Sequence, residues 1–110
     1  MIFCSKNSKG LPAWQLILDG KKTVTRRIKP CVVGKDYAVC PGRGKFQVCR
    51  IKVLSCITHK NWLEHIKIEE DFEQDAKKEG FASTLELYNW FYDHKINIGN
   101  TYRIEFEVVK

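Results

Sequence analysis

The chain has 110 residues, of which 44% are hydrophobic and 29% are charged, and this composition is typical of one folded domain rather than of a disordered tail. No apolar stretch approaches the roughly 20 residues that a membrane-spanning helix requires, and residues 1–6 lack the features of a secretory leader. We therefore expect a cytoplasmic protein with a single domain over residues 1–110.

The five cysteines indicate the same compartment, because an odd number without a CxxC pair is typical of thiols that stay reduced. Their spacing does not match the ligand spacing of a zinc finger or a zinc ribbon. We expect no metal site, no cofactor and a monomeric protein.

Charge is distributed unevenly along the chain. The net charge is +6 overall, but residues 1–52 carry +10 and residues 53–110 carry −4. A basic half creates a positive surface that attracts phosphate groups, so RNA or a nucleotide is the leading class of partner. The alternative is a solvated basic face that only neutralises the acidic half.

The first predicted elements are a short helix and a strand. Pro12 suits the first turn of the helix, and Gly20 suits the left-handed residue that ends it. The strand that follows covers residues 21–28, in which Val24 and Ile28 are expected on the buried face. Its other face presents Thr23, Thr25 and Arg27.

The middle of the chain predicts two more strands, over residues 37–39 and 46–57. A glycine-rich basic turn at residues 40–45 joins them. Farther along, Trp62 is the tryptophan expected to be exposed and able to stack on a nucleic-acid base.

Two helices and a last strand complete the pattern. One helix covers residues 71–78 and ends at Gly80, and the other begins after Ser83, whose side chain can cap it. The last strand covers residues 101–109 and alternates apolar with charged side chains. Because the strands dominate and are segregated from the helices, the sequence predicts an α+β fold with a small curved sheet or barrel.

Residues 20–27, which read Gly-Lys-Lys-Thr-Val-Thr-Arg-Arg, resemble the opening pattern G-x-K-T-x-T-x-R of the ASCH domain family, a branch of the PUA-like superfamily. Residues 33–45, 78–81 and 104–106 are similar to three further elements of that family, so the resemblance covers nearly the whole chain. It implies a PUA-like small β-barrel of about five to six strands, with about two to three helices at the barrel mouth. It also implies a cleft between barrel and helices that binds RNA or nucleotides.

Some ASCH proteins are small amidohydrolases that remove the acetyl group from N4-acetylcytidine, and the resemblance implies that Lys22, Thr25 and Glu79 are the catalytic residues. Lys22 could take the proton of the Thr25 hydroxyl if burial and neighbouring cations lower its pKa from about 10.4 toward about 7 or 8. Glu79 would then deliver a proton to the departing amine. The plain alternatives are a solvated lysine, a strand threonine and a surface glutamate of an acidic helix.

Several cations are candidates for contacts with nucleic acid or substrate. Arg27 shares a predicted strand face with Thr25 and could clamp a phosphate or a base carbonyl through its planar fork. The full set is Lys21, Arg26, Arg27, Arg43 and Lys45. Such a basic surface also fits two other functions, a non-catalytic RNA-binding module and a metal-independent ribonuclease.

Overall fold

The computed structural model describes residues 1–6, 9–66 and 70–109, and its central element is an antiparallel sheet. In chain order the strands are β1 (Val24–Arg27), β2 (Asp36–Val39), β3 (Cys49–Thr58) and β4 (Tyr102–Val109). They lie side by side in the order β1-β4-β3-β2. The two long strands, β3 and β4, pair in the centre, and their register shifts between Val53 and Ser55, a local irregularity of the kind that bends a sheet.

The sheet is open, because β1 and β2 form its two edges and do not pair with each other. The α+β class is confirmed, but the prediction of a closed barrel of about five to six strands is wrong for the described residues. Each edge strand has only 4 residues, and backbone outside the sheet pairs next to each of them. Beside β1, Thr23 N donates to Lys78 O at 2.8 Å, and beside β2, Phe3 N donates to Cys40 O at 2.9 Å.

Four α-helices pack around the sheet in the described ranges, where about two to three were predicted. They are α1 (Ala13–Leu18), α2 (His59–Leu63), α3 (Glu70–Lys78) and α4 (Thr84–Asp93). The unpredicted helix is α2, which follows β3 directly and is capped by the Thr58 hydroxyl, an acceptor for Asn61 N at 3.2 Å. None of the helices in this part of the chain has the length and apolar character needed to cross a membrane.

Apolar side chains form two clusters. The first packs α1 and the N-terminal segment against the sheet and includes Phe3, Ile51 and Phe106. The second joins α2, α3 and α4 and includes Trp62 and Phe72. Trp62 is buried, so its predicted exposure is wrong.

Burial along β1 does not alternate as the sequence pattern predicts. Val24, Thr25 and Arg26 are all buried, whereas Ile28 is 64% exposed. The prediction for Ile28 is wrong because β1 ends at Arg27 and the chain then leaves the sheet. Alternation of buried and exposed side chains is typical of a strand with one face in water. Both faces of β1 are covered, so its side chains do not alternate in burial.

The turn after α3 holds the end of that helix close to α1. Gly80 adopts a φ of 98°, and a Cβ at this position would lie 2.8 Å from Leu16 Cδ1. Glycine fits this turn because it has no side chain to meet Leu16 and adopts positive φ without strain. The turn thereby fixes Glu79, the preceding residue, at the junction of α3, α1 and β1.

Candidate functional site

A cavity of about 830 Å³ lies between the N-terminal segment, β1 and the end of α3. Residues 1–5 form one wall, residues 25–31 form a second, and Phe81 and Trp90 contribute an aromatic third wall. Five of the predicted site residues line the cavity: Lys22, Thr25, Arg26, Arg27 and Glu79. The structure therefore brings together all three residues implied as catalytic.

Lys22 reaches the cavity from the turn that ends α1. Gly20 adopts a φ of 73°, and the amides of Lys21 and Lys22 both donate to Leu16 O, so the chain reverses direction before β1 begins. As a result the Lys22 side chain points inward, and the residue is only 6% exposed.

The Lys22 amine is held by two backbone carbonyls. Its Nζ donates to Val24 O at 2.9 Å and to the backbone O of Glu79 at 2.7 Å. Burial lowers the pKa of this amine to about 8, because an ammonium loses hydration there. The Glu79 carboxylate opposes this shift, whereas Arg27 and Arg26 reinforce it. About half of Lys22 is therefore neutral at pH 8, and a neutral amine can accept a proton.

Thr25 is the second residue of β1, and its side chain borders the cavity. A fully extended chain would place Lys22 and Thr25 about 10 Å apart on opposite faces. The turn at Gly20 removes this conflict, because the strand begins only at Val24. Among the described residues the Thr25 hydroxyl has no hydrogen-bond partner, and no hydrogen bond joins it to Lys22 Nζ. The hydroxyl is therefore available to a ligand.

Glu79 lies directly after α3 and is 5% exposed. Its carboxylate Oε1 accepts a hydrogen bond from Arg26 Nη1 at 2.6 Å. In the described part of the chain no donor bonds to Oε2, so this oxygen is the one available to the cavity.

Arg26 lies at the centre of a buried charge cluster that the sequence analysis missed. We define this cluster as Arg26, His59, Asp75, Glu79 and Arg103. Arg26 Nη2 donates to Asp75 Oδ2 at 2.6 Å, and Arg26 Nε donates to His59 Nδ1 at 3.0 Å. Asp75 Oδ1 also accepts from Arg103 Nη2 at 2.7 Å. Each guanidinium is thus paired with a buried carboxylate.

Two patterns point to this cluster. Asp75 and Glu79 are four residues apart, which places both carboxylates on one face of a helix. Arg26 and Arg103 are directly opposite in the register of β1 and β4, and two like charges in that position require anions nearby. The first pattern is visible in the sequence, but the second needs the strand register. The Trp62 ring completes the packing, at 4.7 and 5.3 Å from the two guanidinium carbons.

The predicted binding cations fall into two groups. Arg26 and Arg27 line the cavity, and Arg27 Nη2 donates to Ile2 O at 2.7 Å, which ties the N-terminal wall to β1. Lys29, which was not predicted, lines the cavity as well. The others are exposed and lie outside the cavity lining: Lys21, Arg43 and Lys45.

The aromatic wall is a second feature that the sequence analysis missed. Phe81 and Trp90 pack with ring centroids 6.3 Å apart, and the His94 ring stacks on Trp90 at 4.0 Å. All three residues line the cavity. The four-residue spacing between Trp90 of α4 and His94, which caps the end of α4, indicates a shared helix face, but the sequence pattern alone assigns that face to the core.

The described ranges contain no group of three or more His, Cys, Asp or Glu side chains that could hold a metal ion. All five cysteines are free thiols.

Solved structures with a similar fold include two bacterial proteins. The crystal structure of an ASCH domain from Lactobacillus crispatus aligns with 87% of this chain and 69% of its own length, at a TM-score of 0.56 and 20% identity. A DUF984 protein from Enterococcus faecalis aligns with 88% of this chain and 69% of its own length, at a TM-score of 0.52 and 18% identity. Neither a family model nor a curated protein sequence matches the chain. The resemblance to the ASCH domain is thus confirmed at the level of the fold.

The charge cluster predicts an acid-sensitive fold. Burial, and then the Arg26 guanidinium, lower the pKa of His59 from 6.5 to about 4. The unfolded chain therefore binds the His59 proton at a higher pH than the folded chain does, and the unfolding free energy falls as the pH decreases from about 6.5 to about 4. Urea denaturation of the wild type should therefore give a lower unfolding free energy at pH 4.5 than at pH 7. In the His59→Gln variant we expect this decrease to be smaller by about 2 kcal/mol.

The matched control is His65→Gln, which changes an exposed histidine and should keep the full loss of stability. Equal pH dependence of the wild type and the His59→Gln variant would contradict this account of the cluster.

Proposed function

We propose that this chain, which has the fold of an ASCH domain, binds RNA or a nucleoside in its cavity and hydrolyses an exocyclic amide of a modified pyrimidine nucleoside such as N4-acetylcytidine. One observation carries the proposal: an amine, a hydroxyl and a carboxylate from separate parts of the chain line the same cavity. Lys22, Thr25 and Glu79 are each almost fully buried, which is unusual for a lysine and a glutamate without a functional reason.

The chemistry begins with a neutral Lys22. A neutral amine has two N–H bonds and one lone pair, and the carbonyls of Val24 and Glu79 can accept both N–H bonds. The lone pair then takes the proton of the Thr25 hydroxyl, whose oxygen attacks the carbonyl carbon of the acetyl group.

The second half of the reaction releases the nucleoside and then acetate. The bond between the acetyl carbon and N4 breaks, and the proton held by Lys22 passes through a solvent water in the cavity to Oε2 of Glu79, which delivers it to N4. Water then hydrolyses the acetyl ester left on Thr25: its oxygen bonds to the acetyl carbon, the ester bond breaks and one water proton restores the hydroxyl. Acetic acid leaves and ionises in solution to acetate and a proton. The enzyme returns to its starting charge, because the proton that Lys22 takes is the one that N4 receives.

The walls of the cavity suit this class of substrate. The aromatic wall of Phe81 and Trp90 offers a flat apolar surface for a pyrimidine ring. Arg27 and Lys29, on another wall, supply cations for a ribose phosphate or an RNA backbone.

The proposed nucleophile is tested by Thr25→Val, which removes the hydroxyl and keeps the shape of the side chain. We expect this variant to release acetate from N4-acetylcytidine about 1,000-fold more slowly than the wild type, because the covalent step is lost. Thr25→Ser, which keeps a hydroxyl, should retain measurable activity.

The control for this experiment is Thr23→Val, at a half-buried threonine outside the cavity lining, which should act as the wild type does. Undiminished acetate release by the Thr25→Val variant would exclude Thr25 as the nucleophile.

The second candidate function is a non-catalytic RNA-binding module. It is favoured by the ion pair of Glu79 with Arg26 and by the two backbone bonds of Lys22, which could serve only to build the cavity wall. In this function Arg27 and Lys29 would hold phosphate, with Lys21, Arg43 and Lys45 extending the basic surface.

The binding function is tested by the salt dependence of affinity for a single-stranded RNA. We expect Arg27→Gln to weaken binding and to reduce the slope of log K against log salt by about one, because one phosphate contact is lost. Lys52→Gln is the control. Lys52 lies opposite Asp36 and Glu107 in the strand register, and these two carboxylates offset its positive charge, so its loss should not affect RNA binding.

Binding that is absent at low salt, or that does not weaken as salt increases, would contradict the RNA-binding module. Cleavage of labelled RNA by the same preparation in the presence of a chelator would instead support the ribonuclease alternative.

A further inference from the structure

Arg26 has almost no freedom to act as a ligand-binding side chain. The side chain is 0% exposed, and it forms ion pairs with Asp75 and Glu79. Its three nitrogens donate to Glu79, Asp75 and His59 at 2.6, 2.6 and 3.0 Å. The Trp62 ring lies 4.7 Å from the guanidinium carbon. A move toward a ligand would break buried ion pairs, so Arg26 acts through the groups that it holds.

The cluster around Arg26 is balanced in charge. Two guanidinium groups, Arg26 and Arg103, meet two carboxylates, Asp75 and Glu79. His59 adds no charge near neutral pH, because its pKa is lowered to about 4. The cluster therefore presents no net charge to Lys22, which lies beside it.

The Glu79 carboxylate is the anion that acts most strongly on Lys22, yet the hydrogen bond from Lys22 Nζ goes to the backbone oxygen of that residue. The carboxylate itself is held by Arg26 at 2.6 Å. Arg27 and Arg26 on β1 also act on Lys22 and favour the neutral amine, whereas Asp75 on α3 favours the ammonium.

We propose that Arg26 is a positioning residue, which holds Oε1 of Glu79 so that this carboxylate stays apart from the Lys22 amine and presents Oε2 to the cavity. The consequence for catalysis rests on the proposed function, whereas the separation of Glu79 from Lys22 does not. Without Arg26, the free carboxylate would pair with a Lys22 ammonium and favour the protonated form. Lys22 would then be a poorer base at neutral pH.

The test follows the titration of Lys22 directly, by NMR of protein labelled with ¹³C-lysine, with the Lys22 signal identified from its loss in Lys22→Arg. We expect the titration midpoint of Lys22 to rise by about one pH unit or more in Arg26→Met, because a neighbouring cation is lost and the Glu79 carboxylate then pairs with the amine. Arg26→Lys, which keeps a cation beside Glu79, should return most of the way to the wild-type midpoint.

The control is Arg50→Met, which removes the same charge from an exposed arginine of β3 that bonds to Gln47. It should leave the Lys22 midpoint unchanged.

Loss of Arg26 alone leaves two carboxylates to share one guanidinium, so the titration is also carried out on Arg26→Met combined with Asp75→Asn. This double variant removes one positive and one negative charge together and preserves the balance of buried charge.

A Lys22 midpoint within about 0.3 pH units of the wild type in folded Arg26→Met and in the folded double variant would overturn the proposal, since an opposite charge at close range shifts a pKa by more than this. If the wild type hydrolyses N4-acetylcytidine, its pH–rate profile should move with the midpoint in each variant that is active. A wild type without hydrolase activity would contradict the proposed function but not the positioning of Glu79, because the NMR titration uses no substrate.

Discussion

A balance of buried charge between two strands and one helix face determines the rest of this structure. Arg26 and Arg103 lie opposite each other across β1 and β4, and they pair with Asp75 of α3 and with Glu79, the residue directly after α3. Removal of one partner from a buried ion pair costs about 3 to 5 kcal/mol, because the remaining charge is left unpaired in a medium of low polarity. The position of α3 against the sheet is therefore fixed by charge as well as by the packing of Phe72.

The same arrangement decides which chemistry is available to Lys22. Turns of positive φ at Gly20 and Gly80 bring Lys22 and the end of α3 together, and backbone carbonyls rather than a carboxylate hold the amine. Burial then favours the neutral form. A binding module would need only the positive walls of the cavity. The proposed hydrolase needs in addition a neutral Lys22 amine that shares the cavity with the Thr25 hydroxyl.

Local features of this fold could be predicted from the sequence, and long-range pairings could not. Ser83 caps α4 by accepting from Glu86 N at 3.2 Å, as its pattern predicts. The failed barrel prediction depends on whether the edge strands pair, which no local pattern determines. Likewise the partners of Arg26 lie 49 and 53 residues away, so its burial was invisible in the sequence. The resemblance to the ASCH family supplied Lys22, Thr25 and Glu79, but not the cluster that holds Glu79.

The central claim is that a neutral Lys22 amine activates Thr25 within the cavity. The most direct test is the pH dependence of kcat/KM for acetate release from N4-acetylcytidine by the wild type, over about pH 6 to 10. Because the pKa of Lys22 is about 8, kcat/KM should increase about tenfold per pH unit below that value and level off above it. A profile that is flat through pH 8, or a folded protein that releases no acetate at any pH, would contradict the account.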